Sequence, residues 1–176
     1  MFDFMDEHPM LMLGLIVLAI ALYVCIKYFV DKHKGKNSEE RRKILEIVRE
    51  VIPAEESYVP VYTLWTEHYG NSSRSWYYAM GITDDKLYVV PLYIAGKVIG
   101  YDKSFVIPKN SLGKIDSGKP GGPVRYVKLY DQNQKEFLKF EVNEVNTKMD
   151  KTMPLNIVQV EEFRAFVKKL DEWKEQ

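Results

Sequence analysis

One cysteine and three histidines are all the thiol and imidazole chemistry that this 176-residue chain holds. Cys25 alone excludes a disulfide framework within the chain. His8, His33 and His68 stand far apart, a spacing that supports neither a zinc site nor a histidine-based proton relay. Net charge is missing as well, since 25 basic residues meet 25 acidic ones, and a wholly basic nucleic-acid binder is excluded with it. The many tyrosines do not restore that reading, because a stacking surface for single strands also needs a basic groove. The length leaves room for one ordinary domain and a small addition.

Charge is absent altogether from residues 10–26, and Lys27 is the only charge before Val30. A helix over 10–30 extends about 30 Å, the thickness of the hydrocarbon core. Lys27 can snorkel to the headgroups, and Tyr23 and Tyr28 are placed as interfacial anchors. A cleaved secretory signal would want a basic start, yet Asp3, Asp6 and Glu7 precede the run and no clear small-residue cleavage site follows. Leu22-Tyr23-Val24-Cys25 also lacks the small residue before cysteine that a bacterial lipoprotein site needs. Residues 1–26 thus carry three acids and no base, residues 27–52 carry eight bases against five acids, and the rest balances at 17 of each. Basic residues stay on the cytoplasmic side. The expected layout is a short acidic extracytoplasmic tail at 1–9, a transmembrane helix at 10–30, and a cytoplasmic C-terminal part at the cell membrane. The Asn71-Ser72-Ser73 sequon would matter only with the opposite topology.

Residues 31–53 read as a basic juxtamembrane linker and amphipathic helix. Asn37 or Ser38 can cap it, Asn37 with Glu40 having capping-box spacing, and Pro53 stops it. Ile44, Leu45, Ile47, Val48, Val51 and Ile52 recur at helical spacing. Two roles are open: a connector helix packed on the following domain by its apolar stripe, or an interfacial helix on anionic lipid. In the second, Lys32, Lys34, Lys36, Arg41, Arg42 and Lys43 are the membrane-surface contacts, each contributing about 1 kcal/mol.

Beyond Pro53 the period becomes two. Strands are predicted over 59–69, 74–82, 87–94, 98–107 with a bend near Gly100, 112–116, 124–130 and a seventh on which Leu138, Phe140 and Val142 share a face. Thr83-Asp84-Asp85-Lys86 is a tight turn, ascribed to aspartate's tolerance of the left-handed region, and Gly96-Lys97 is another. Residues 143–154 read as loop. A closing helix near 160–174 carries Phe163, Val167, Leu170 and Trp173 on one stripe. The class is mainly β with α.

Seven antiparallel strands followed by one amphipathic helix resemble the pleckstrin-homology-like superfamily, particularly its bacterial PH-like and GRAM-like branches. Gly81-Ile82-Thr83-Asp84-Asp85-Lys86-Leu87-Tyr88-Val89-Val90 looks like the second and third strands of those domains, and Ile107-Pro108-Lys109-Asn110-Ser111-Leu112-Gly113-Lys114-Ile115 is similar to their fourth-to-fifth passage. The resemblance implies a seven-stranded bent antiparallel barrel capped by a C-terminal helix over 54–176. It also implies lipid binding, from which the sequence departs. Phosphoinositide-binding members place several basic residues around the first hairpin, whereas residues 68–74 offer only Arg74 as a ligand-loop contact, with Lys97, Lys103 and Lys109 in neighbouring turns.

No catalytic constellation is found, and no cofactor or metal is expected. Gly113 to Lys119 has phosphate-loop spacing as far as the lysine, but Pro120 stands where Ser or Thr must hold the metal, so a surface loop is expected. The acidic pairs Glu55-Glu56, Asp84-Asp85 and Glu161-Glu162 are ordinary turn and helix-start chemistry. The expected function is a non-enzymatic single-pass membrane protein presenting a cytoplasmic interaction or scaffolding module to another protein. Recognition of an anionic lipid headgroup is the alternative.

Overall fold

The computed structural model describes residues 9–36, 38–95, 98–118, 122–146 and 154–175. The tail at 1–8, Asn37, the Gly96-Lys97 turn, Lys119, Pro120, Gly121 and most of the 143–154 loop lie outside the described residues, as do the side chains at 9–12 and 31–36.

Helix α1 spans Pro9–Lys36, its 28 residues extending roughly 42 Å. Proline at its first position is preset for a helix start. Its 18-residue stretch Leu13–Val30 has a mean hydropathy of 2.4 and buries nothing against the rest of the chain. By length and composition it can cross a membrane or act as a signal sequence. Helix α2, Glu39–Val51, starts where the Ser38 hydroxyl accepts a hydrogen bond from the Arg41 amide at 3.1 Å. Ser38, of the two expected cap residues, is the one the structure shows.

Eight strands form one antiparallel sheet: β1 Val59–Tyr69, β2 Ser72–Ile82, β3 Lys86–Ala95, β4 Val98–Tyr101, β5 Phe105–Pro108, β6 Leu112–Ser117, β7 Val124–Asp131 and β8 Glu136–Asn143. Their order is β4-β3-β2-β1-β8-β7-β6, with β5 also paired to β3. The single strand expected over 98–107 is therefore two short ones sharing one edge: β4 runs along Leu92–Ala95, and β5 lies on the residues from Lys86 to Val89. The break falls at 102–104, past Gly100, which instead lies under the Tyr93 ring; a Cβ there would meet the ring at 1.9 Å. A two-stranded ribbon of β9 Val145–Asn146 and β10 Ile157–Val158 leads into helix α3, Val160–Lys174.

The sheet is not closed into a barrel, which corrects the expected architecture. Among the described residues, β6 pairs with β7 alone, and no ladder joins it to β4 or β5. The inner core is filled by α3 instead: Phe163, Phe166, Leu170 and Trp173 pack with Val61, Met80, Leu87, Val127 and Phe140, and the Trp173 indole donates to the Asp84 carbonyl at 3.0 Å. The helix seated in the mouth buries its apolar stripe on the inner face of the sheet.

The other face of the sheet is covered too. Ile44, Ile47, Val48 and Ile52 of α2 and its end pack on Tyr62, Ala79, Tyr88, Val90 and Leu92 in a second core. Gly81 permits this approach, since a Cβ there would lie 2.2 Å from the Ile52 Cδ1. The apolar stripe of α2 therefore faces protein.

The Thr83–Lys86 turn forms for a different reason than expected. Neither aspartate has positive φ; the Thr83 hydroxyl accepts from the Lys86 amide at 2.9 Å and the Asp85 amide at 3.3 Å, and the Thr83 amide donates to the Lys86 carbonyl. In the first hairpin, Gly70 has a φ of 58°, at the position where a two-residue loop demands it.

Candidate interaction site

A sheet that does not close has two edges, and here they differ in chemistry. On β6 the edge carries Gly113, Lys114 and Asp116, with a register shift between Leu112 and Lys114. Charges and bulges of this kind discourage pairing with another chain. Along β4 and β5 the exposed large side chains are Val98, Tyr101, Phe105 and Val106, with Tyr93 of β3 beside them. Val98 is 60% exposed and Phe105 41%, so this edge presents apolar surface to solvent. Tyr101 anchors it to α2, its hydroxyl donating to the Glu50 carboxylate at 2.8 Å; that bond holds the Tyr101 phenol above its ordinary pKa.

The residues expected to face lipid are only partly brought together. Arg41 is turned to the protein, paired with Glu162 at the start of α3. Arg42 lies 3.9 Å from Glu39 on the exposed side, and Lys43 lines a shallow cleft with Arg42 among Glu39, Glu40 and Glu46. Lys32, Lys34 and Lys36 continue α1, their side chains outside the described residues.

Arg74 stands apart from all of these. Its guanidinium lies 5.1 Å from the Trp76 ring centre, and Glu67 is its partner across the β1–β2 ladder. Glu67 is paired with Lys139 and accepts from the Tyr69 hydroxyl; these contacts, Lys139 foremost, hold its carboxyl down to about 2. The first hairpin thus mixes signs, and Lys103, in the break between β4 and β5, and Lys109, in the 3-10 turn Lys109–Ser111, belong to other parts of the fold.

The strand expected over 112–116 is β6, Leu112–Ser117, so the phosphate-loop-like segment starts on a strand, and the surface loop expected for it can only concern its end, where Lys119 and Pro120 lie outside the described residues. His68 is exposed at the end of β1. Among the described residues, no three His, Cys, Asp or Glu side chains come together as a metal site.

Gln159 escaped the sequence reading. It is 4% exposed and lies between β1 and β8. Its side-chain oxygen accepts from the Tyr62 amide at 2.8 Å, and its side-chain nitrogen donates to the carbonyls of Tyr62 at 2.7 Å and Asn143 at 2.9 Å. The β1–β8 ladder itself has only the pairs Thr63–Val142 and Leu64–Glu141. Gln159 acts as a short piece of strand where the backbones part. No pattern of period or spacing marks such a residue; only its place just before α3 could have drawn notice.

No family model, curated protein or solved structure matches the chain.

Proposed function

We propose that the chain is a non-enzymatic, single-pass membrane protein whose PH-like cytoplasmic domain binds another protein through the β4–β5 edge. The observation that carries the reading is that edge, a row of apolar side chains on strands with unused pairing capacity. An extended segment of a partner adds there as a further strand, main-chain hydrogen bonds giving affinity and the flanking aromatics giving specificity. Apolar residues on an unguarded edge otherwise invite aggregation, so a partner gives the exposure a use. The charge step across α1, acidic before and basic after, supports the N-terminus outside and the domain inside. Strand order and the helix in the mouth support the PH-like assignment. Anchoring raises the effective concentration of the module at the membrane, so a weak edge contact suffices.

Headgroup binding is the weaker reading, because α2 spends its apolar face on the sheet and Arg41 on Glu162. Native gel electrophoresis of the full chain, solubilised mildly from its own membranes, separates the two. A complex larger than the chain, lost in Val98→Lys/Val106→Lys and retained in Arg42→Ala/Lys43→Ala, is expected. Migration unchanged by the edge substitutions overturns the edge reading. A C-terminal reporter active only outside the cytoplasm overturns the orientation.

A further inference from the structure

The mouth that α3 fills is not filled to its end. Past Trp173, between the Thr83–Lys86 turn and the corner joining β5 to β6, a cleft of about 740 Å³ remains open. This lies within the range of small-ligand sites. Four lysines from separate elements line it: Lys86 of β3, Lys109 of the 3-10 turn, Lys114 of β6 and Lys174 at the end of α3, against Asp85 as the one lining carboxylate. Two other clefts of similar size show no such imbalance. One along α3 sets Arg125, Arg164 and Lys168 against four acids, and one on α2 sets Arg42 and Lys43 against three.

The partners of these ammonium groups differ. Lys86 is committed to Glu56 at 2.7 Å. Lys109 lies 6.0 Å from the Trp173 ring centre and Lys114 5.4 Å from that of Tyr130, while Lys174 donates to the Ser117 hydroxyl at 3.0 Å. Among the described residues, a ring face and a hydroxyl are the contacts of Lys114 and Lys174, and neither is paired with an acid. The C-terminal dipole of α3 points partial negative charge here, and Lys174 in its last turn offsets it.

We propose that this cleft is an anion site that takes a phosphate group. Arginine's planar fork suits carboxylates and phosphates alike, and no arginine lines the cleft; Lys114 and Lys174, arriving from β6 and α3, are point charges that suit a tetrahedral, multiply charged oxyanion. The cleft meets the β4–β5 edge only at Pro108, and the same chemistry serves a soluble phosphate compound or a phosphorylated lipid headgroup.

The test uses the full chain in nanodiscs of zwitterionic phosphatidylcholine, titrated with inorganic tripolyphosphate by equilibrium dialysis. Saturable binding is expected, weakening with added salt and falling at least about tenfold in Lys114→Ala/Lys174→Ala, whose side chains are exposed. Arg42→Ala/Lys43→Ala should leave it unchanged. A second arm adds phosphatidylinositol phosphate to the disc. Displacement of tripolyphosphate by that lipid assigns the site to a headgroup, and undiminished binding assigns it to a soluble ligand. Absence of saturable binding of both probes, or binding that survives the lysine pair and falls with Arg42 and Lys43, overturns the proposal.

Discussion

Replacing Gln159 with leucine keeps the side chain's approximate volume and removes three hydrogen bonds from the seam between β1 and β8. The Tyr62 amide, the Tyr62 carbonyl and the Asn143 carbonyl lose partners at 2.8, 2.7 and 2.9 Å in a buried place. A buried polar group left unsatisfied costs about 1–3 kcal/mol. A buried amide left without an acceptor is the costliest of the three, whereas carbonyls tolerate the loss better; leucine also returns about 1 kcal/mol of apolar burial. The net destabilisation is about 3 kcal/mol. With a urea slope of about 2 kcal/mol per molar, the unfolding midpoint falls by roughly 1.5 M. Urea unfolding of the full chain in nonionic micelles, followed by tryptophan emission, reads this directly. Gln159→Glu separates donors from acceptor: it keeps an oxygen for the Tyr62 amide and turns a carboxylate on the two carbonyls. Its folded state holds a proton more tightly than its unfolded state, so this variant gains stability as pH falls. A midpoint shift for Gln159→Leu below about 0.5 M would refute the reasoning, since β1 and β8 would then hold together without the side chain.

Gly81→Ala places a methyl against Ile52 and Val48 and should cost about 1–2 kcal/mol by overpacking; Ile52→Val, which removes the clashing Cδ1, should recover part of it in the same assay. If α2 were a detachable connector, neither change would move the domain's midpoint. Glu67 should titrate near 2, followed by carboxyl carbon resonances, and return toward 4.5 in Lys139→Ala. Its folded value is depressed, so its contribution is full above the ordinary carboxylate range and is lost as pH falls through about 2. A midpoint near 4 in the parent chain would show that the Lys139 pair does not form in solution.

Local patterns carried much of the architecture. The period-two runs marked the strands now seen as β1 to β3 and β6 to β8, and the stripe Phe163, Leu170, Trp173 marked the face of α3 that enters the inner core. The fourth strand was misread as continuous because 98–107 keeps its β-rich composition through the break at 102–104. The open barrel was illegible for a different reason: closure depends on whether β6 meets β5 in space, and alternation in one strand says nothing about its neighbours. The same limit hid the candidate site. Val98, Tyr101, Phe105 and Val106 look like ordinary strand residues until their strand is known to lie at an edge. Arg41 shows the converse, for its charge cluster was plain in the sequence, but its turn toward Glu162 comes from a residue 121 positions away.

Photo-crosslinking in native membranes tests the central claim most directly. A photoreactive residue at Val106 should give a discrete adduct of this chain with one other protein, lost on adding Val98→Lys. The same residue at Lys135, in the exposed turn between β7 and β8, should give none. Equal adducts from both positions, or an adduct at Val106 that survives Val98→Lys, would contradict the account.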